Sequence, residues 1–283
     1  MQIYNSLDEV VERGTIAPDS IINADCLEAM KFIPDKSVDC IICDLPYSIT
    51  NCHWDKLIPF EPLWEQYKRI IKPNGAIVLF GSQPFTSALV MSNPKWFKYE
   101  WIWEKNRNSN PLLAKIQPLR CHENILIFSD RKINYSPILR WEGIVDRRKT
   151  FTVFEHKNGS TLPVRKTRKK DDGYRLLKSV LKFSNADTTN SIHPTQKPVP
   201  LIEYLIKTYT LENEIIVDNT AGSGTLAIAC INTNRRYICI EKDPGYFDVM
   251  RNRIENHDPN ALATPKKARK PRAITEGQLA LFR

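Results

Sequence analysis

No run of apolar residues in this 283-residue chain approaches the roughly 18 that a membrane-spanning helix needs. The opening Met1-Gln2-Ile3-Tyr4-Asn5 lacks a basic stretch followed by an apolar core, so no secretory leader is expected. The seven cysteines are scattered and odd in number. They give no disulfide framework and suit reduced thiols in a cytosol. There is no internal repeat. Cys40-x-x-Cys43 followed by Cys52-His53 has no second spaced pair. Residues three apart on an extended strand point to opposite faces, so no metal site is expected there. What the chain does have is a 42% hydrophobic fraction, enough for a core and against global disorder. Its length suits one sizeable domain carrying an inserted module.

The formal charge is +9, and it is unevenly placed. From Arg131 to Lys182 there are fifteen Lys and Arg against five Asp and Glu, a local +10, which leaves about −1 for the rest of the chain. From His257 to Arg283 six basic residues face two acidic ones, a local +4. A basic run is often only a solvated face. Concentration within one internal segment favours a nucleic-acid contact surface, with Arg165, Lys166, Arg168, Lys169 and Lys170 as its densest cluster.

Apolar strands alternate with amphipathic helices at both ends of the chain. Ser20 to Ala24, Val38 to Cys43 and Ala76 to Phe80 read as strands, with helices at Cys26 to Ile33 and through Leu63, Trp64, Tyr67, Ile70 and Ile71. Lys72-Pro73-Asn74-Gly75 reads as a stop and turn. Tyr99 to Trp103 and Ile125 to Phe128 form a further pair, with Trp101, Trp103 and Lys105 on a half-buried strand. The rhythm resumes with a helix from Val199 to Tyr209, a strand at Glu214 to Val217, a helix at Leu226 to Ile231, a strand at Tyr237 to Ile240 and a helix at Tyr246 to Ile254. Such alternation is the signature of a doubly wound α/β sheet. The expected organisation is a catalytic half at residues 1–132, a basic insert at 133–190, a cofactor half at 191–256 and a flexible basic tail at 257–283.

Two strand ends carry chemistry. Ile215-Ile216-Val217-Asp218-Asn219-Thr220-Ala221-Gly222-Ser223-Gly224-Thr225 is a strand, a small-residue turn and a helix start. Glycines there let backbone approach a ligand. One strand later, Ile238-Cys239-Ile240-Glu241 ends in an acid, seventeen residues after Gly224, placed to accept from ribose hydroxyls. A Rossmann-like unit for another nucleotide would share these features. The second is Val38 to Tyr47, a buried strand ending Asp44-Leu45-Pro46-Tyr47. An exocyclic base amine is a poor nucleophile because its lone pair is delocalised. A carboxylate (Asp44) and a backbone carbonyl (Leu45 or Pro46), each accepting one amine hydrogen, draw the nitrogen toward tetrahedral geometry. Pro46 stiffens the turn, and Tyr47 offers a flat surface for an extruded base. A strand-end turn with a capping Asp and a packed Tyr fits the same four residues. Trp54-Asp55 suits either the base pocket or core packing. His53 and His122 read as structural.

These residues resemble the amino-methylating DNA methyltransferases of the permuted, β-type order. The match spans about residues 20–130 and 190–256. Asp44-Leu45-Pro46-Tyr47 is similar to the Asp-Pro-Pro-Tyr catalytic motif, and Asp218 to Thr225 to Asp-Pro-Phe-x-Gly-Ser-Gly-Thr. His193-Pro194-Thr195-Gln196-Lys197-Pro198 is similar to the segment at the methionine end of the cofactor, and Asn23-Ala24-Asp25-Cys26-Leu27 to the element near its adenine. The resemblance implies a mostly parallel seven-stranded sheet flanked by helices, with S-adenosylmethionine as cofactor. It implies a cofactor site of Asp25, Cys26, His193, Thr195, Lys197, Pro198, Asp218, Asn219, Ala221, Gly222, Ser223, Gly224, Thr225, Glu241 and Asp243.

It further implies double-stranded DNA as substrate, with base flipping, restriction-modification use, a cytoplasmic, nucleoid-associated setting in a bacterium or phage, and dimers, which are frequent in the family. An Asp-first loop resembles the adenine-N6 enzymes; Ser-first is commoner for cytosine-N4, though Asp-first cytosine enzymes occur. Leu45 departs from the usual first proline but keeps its carbonyl, and Asn219-Thr220 departs from Pro-Phe. No Pro-Cys dipeptide is present for carbon methylation. An inert cofactor-binding module that grips DNA is the competing reading, and the intact catalytic loop argues against it. Gln278-Leu279-Ala280-Leu281-Phe282 resembles the peptide by which bacterial DNA-processing proteins dock on the sliding clamp.

Overall fold

The computed structural model describes residues 1–47, 57–109, 114–141, 153–157, 160–164, 173–176, 178–185 and 196–259. His193, Thr195, the Arg165, Lys166, Arg168, Lys169 and Lys170 cluster, Cys52-His53, Trp54-Asp55 and the Gln278, Leu279, Leu281 and Phe282 peptide lie outside the described residues.

In the first half come β1 (Gln2–Tyr4), α1 (Leu7–Arg13), β2 (Ser20–Asn23), α2 (Cys26–Met30), β3 (Val38–Cys43), α3 (Phe60–Ile70), β4 (Ile71–Gly81), α4 (Phe85–Ser92), β5 (Phe97–Ser109) and β6 (Arg120–Phe128). Five short strands follow: β7 (Leu139–Trp141), β8 (Val153–Lys157), β9 (Ser160–Val164), β10 (Tyr174–Leu176) and β11 (Val180–Lys182). The second half is α5 (Val199–Tyr209), β12 (Ile215–Asp218), α6 (Thr225–Asn232), β13 (Arg236–Glu241) and α7 (Pro244–Glu255).

The main sheet has the order β1-β2-β13-β12-β3-β4-β6-β5-β11. Only β6 runs against the rest. The seven inner strands are those expected. The sheet has nine because three-residue strands, β1 and β11, add to its two edges; neither is long enough to show a pattern in sequence. The other correction concerns Lys72-Pro73-Asn74-Gly75, which does not end the helix in a turn. Val38 pairs with Ile71 and Cys40 with Ala76, so the four residues bulge out within a continuous β4. Trp101 and Trp103 are fully buried rather than half-buried.

Parallel strands covered on both faces need apolar residues throughout. In β3, Cys40 and Ile42 pack into the layer with α5, α6 and α7, whereas Ile41 and Cys43 face the layer with α1 to α4. The strand after β12 lies on one side of it and the strand after β3 on the other. The neighbouring C-terminal ends of β12 and β3 thus form the switch point where α/β sheets bind ligands. Among the described residues of the insert, β7 pairs with β10 and β8 with β9, both antiparallel.

Candidate active site

The switch point brings together Asp44 to Tyr47 after β3 and Asp218 to Thr225 after β12. The two loops are bonded to each other. Thr220 Oγ1 donates to the Asp44 carbonyl at 3.1 Å. Buried Asn219 accepts on Oδ1 from Cys43 Sγ at 2.8 Å and from Tyr67 Oη at 2.6 Å, while its own amide N–H donates to Cys43 Sγ at 3.3 Å. The pair that departs from the family pattern is therefore what joins the loops. Asn219 Nδ2 is buried without a hydrogen-bond partner. Burial pushes the Cys43 thiol well up, so it sits here as a neutral donor.

Asp44 is partly buried. Its Oδ1 accepts from Tyr47 Oη at 2.6 Å, and its Oδ2 is bonded to Lys197 Nζ. The Tyr47 ring stacks on Phe85 with centroids 4.8 Å apart. Leu45 is buried in the core beneath the loop. Lys197 is 9% exposed and lies 5.0 Å above the Phe80 ring. It also stands 3.4 Å from Glu123 Oε2, and Glu123 Oε1 pairs with Lys105. Burial alone would lower the Lys197 pKa; the Asp44 and Glu123 carboxylates reverse that and raise it. Burial pushes Glu123 up, but Lys197 and Lys105 hold it below the ordinary value. Sequence reading missed Glu123 and Lys105 as site residues. Only the β5–β6 register, which sets Trp103 opposite Glu123, brings them here.

Around the glycine loop, Gly222 and Gly224 take positive φ of 51° and 75°. A Cβ on Gly224 would lie 2.6 Å from Met250 Cγ, so the loop packs on α7 without room for a side chain. Glu241 Oε2 accepts from the Gly222 amide at 2.7 Å and Oε1 from the Asp243 amide at 2.8 Å. Two fixed donors leave the carboxylate further lone pairs for a ligand. Asp243 caps α7 through the amides of Gly245 and Tyr246. Asp25 caps α2 at Leu27 N and pairs with Lys242; Cys26 beside it is buried. Ser223 donates to Gln196 at 3.3 Å, and Arg253 bonds Ser223 and Thr225, a brace absent from the sequence reading. Ala221 is buried, and Pro198 caps the start of α5. Asp218 accepts from Thr220 N at 3.1 Å. Burial, reinforced by Asp44 and Glu241, raises its pKa from 3.8 to about 7. Burial also raises that of Glu241.

The site therefore couples a strand-end carboxylate to a glycine loop and the Glu241 carboxylate that the loop holds. The DNA methylase family, of the N6 and N4 amino type, matches residues 38–252. The chain belongs to this family of DNA methylases. It is an amino-DNA methyltransferase. Type II methyltransferase M.HinfI of Haemophilus influenzae is 27% identical over 267 residues, 85% of this chain and 69% of that protein. The crystal structure of the M1.HpyAVI–SAM complex is 25% identical, with a TM-score of 0.55, covering 82% of this methylase and 98% of that chain. The cytosine-N4-specific PvuII DNA methyltransferase shares the fold at 16% identity, with a TM-score of 0.61 over 87% of this chain and 90% of its own. Among the described residues no group of His, Cys, Asp and Glu could hold a metal, and no helix is long and apolar enough to cross a membrane.

Proposed function

We propose that this methylase transfers a methyl group from S-adenosylmethionine to N6 of an adenine extruded from duplex DNA. The observation that carries the reading is Asp44 at the end of β3, bonded through Thr220 to the loop that follows β12. The donor set fits the cofactor. Gly222 and Gly224 leave a backbone cradle, Glu241 is held by two amides to face a ribose, and the acids Asp218 and Glu241 suit a cation. Asp25, Cys26, Lys197, Pro198, Ala221, Ser223, Thr225 and Asp243 complete the cofactor region, with His193 and Thr195 from the same motif. The bound cofactor supplies an electrophilic methyl carbon on a cationic sulfur.

The chain's own residues act on the amine. Asp44 accepts one amine hydrogen and Leu45 or Pro46 the other through a carbonyl, so the nitrogen lone pair turns toward the methyl carbon. Thr220 already holds the Asp44 carbonyl, which leaves the next carbonyls along the loop for this task. As the N–C bond forms the amine sheds a proton, and Asp44 is the base in reach. Tyr47 orients Asp44 and lines the base pocket.

Residues 1–132 and 191–256 form the catalytic and cofactor halves in this reading. Residues 133–190 recognise the target, with Arg165, Lys166, Arg168, Lys169 and Lys170 on phosphates. Gln278, Leu279, Leu281 and Phe282 dock on the bacterial sliding clamp, coupling methylation to newly copied DNA. Equal clamp binding by the full chain and by one ending at Thr275 would remove that last element. Nucleoside analysis of DNA incubated with the protein and labelled cofactor tests the main reading, and label in N4-methylcytosine would reassign the base.

A further inference from the structure

Each oxygen of Asp44 already accepts one hydrogen bond. Oδ1 accepts from Tyr47 and Oδ2 from Lys197. A cation hydrogen-bonded to Oδ2 drains the electron density with which that oxygen would draw an amine hydrogen. Two strands along the sheet, on β6, Glu123 shows the opposite condition. Its Oε1 is paired with Lys105, but Oε2 is buried and accepts no hydrogen bond. A buried carboxylate oxygen without a donor is unfavourable and persists only where something compensates. Lys197 Nζ stands 3.4 Å from it, within ion-pair reach but without a hydrogen bond. One ammonium thus stands between two carboxylate oxygens, bonded to one and short of the other.

We propose that Lys197 is an exchangeable cation. When the target amine reaches Asp44, Nζ moves from Asp44 Oδ2 onto Glu123 Oε2, and Oδ2 becomes the acceptor for the amine. The inference rests on the reading of Asp44 as that acceptor. Closing 3.4 Å to the about 2.8 Å of a charge-assisted bond needs a shift of only about 0.6 Å. The Phe80 ring, 5.0 Å below Nζ, keeps the cation in place along that path. Lys105 on β5 holds Glu123 from the far side, so that carboxylate stays ionised and in position. The charges of Asp44, Lys197, Glu123 and Lys105 sum to zero in either arrangement, so the exchange leaves no net charge stranded. Glu123 and Lys105 are positioning residues, acting on the amine through Lys197 and Asp44.

Glu123→Gln keeps the shape but weakens the receiving oxygen, leaving Lys197 on Asp44. The expected kcat at saturating cofactor falls about tenfold or more, with cofactor Kd unchanged. Removing Lys197 in that background, as Glu123→Gln/Lys197→Met, takes away the competing cation; cofactor Kd should rise, because Lys197 also belongs to the cofactor region, but kcat at saturating cofactor should exceed that of Glu123→Gln alone. A purely structural Glu123 predicts a further fall instead. Glu123→Asp, which keeps the charge, should fall between Glu123→Gln and wild type, and carries the same test if Glu123→Gln proves unstable. Wild-type kcat in Glu123→Gln or Glu123→Asp, or a further loss in the double variant, overturns the exchange while leaving Asp44 as acceptor. A wild type that transfers no methyl group, or a fully active Asp44→Ala, overturns both.

Discussion

The Thr220 hydroxyl donates a hydrogen bond to the carbonyl of Asp44 at 3.1 Å, tying the turn after β12 to the turn after β3. Thr220→Val removes that bond at nearly constant volume. A hydrogen bond of this kind contributes on the order of 1 kcal/mol, so kcat should drop about fivefold if the bond sets the Asp44 geometry. Cofactor Kd should stay the same. Steady-state kinetics with separate cofactor titration checks this, and equal loss in kcat and cofactor affinity would instead place Thr220 in the cofactor site.

Asp44→Ala removes an acceptor needed chiefly in the transition state. Turnover should fall on the order of 10²-fold or more while cofactor binding is nearly intact. Near-wild-type turnover would strip Asp44 of its role.

Asp218 gives a pH signature. Its carboxyl is raised from 3.8 to about 7, first by burial and then by Asp44 and Glu241. An acid whose folded pKa is raised takes up a proton on folding. Its stabilisation is complete below pH 3.8 and is lost as pH rises to about 7. The cofactor-free protein should therefore lose thermal stability over that interval relative to Asp218→Asn. A cationic ligand favours the ionised acid, so cofactor affinity should climb as pH rises toward 7 and level off above it. Calorimetric titration across pH checks both signs, and a flat wild-type profile would refute them.

Charge reversal at Arg165, Lys166, Arg168, Lys169 and Lys170 should weaken DNA binding and flatten its salt dependence, by roughly one unit of log–log slope per lost phosphate contact. An unchanged slope would make the cluster an ordinary solvated face.

The central strands were readable because parallel strands buried on both faces must be apolar throughout, as Val38 to Cys43 is. The glycine loop and Asp44 were readable because strand-end chemistry is local in sequence. Helix α1 was not drawn, although Ser6 caps it and Gly14 ends it, because Val10 is its single buried residue and no apolar period emerges. Glu123, Lys105 and Arg253 were missed for another reason. Each reaches the site through register or helix packing between segments far apart in the chain. Asn219 looked like a departure from a motif. Its bonds to Cys43 and Tyr67 appear only once β3, α3 and β12 are side by side.

The most direct test of the central claim is nucleoside mass spectrometry on duplex DNA incubated with the purified protein and methyl-labelled S-adenosylmethionine. The label should appear in N6-methyladenine, and Asp44→Ala should remove it. Label confined to N4-methylcytosine would contradict the assignment to adenine, and no label in any duplex would contradict methyl transfer to DNA itself.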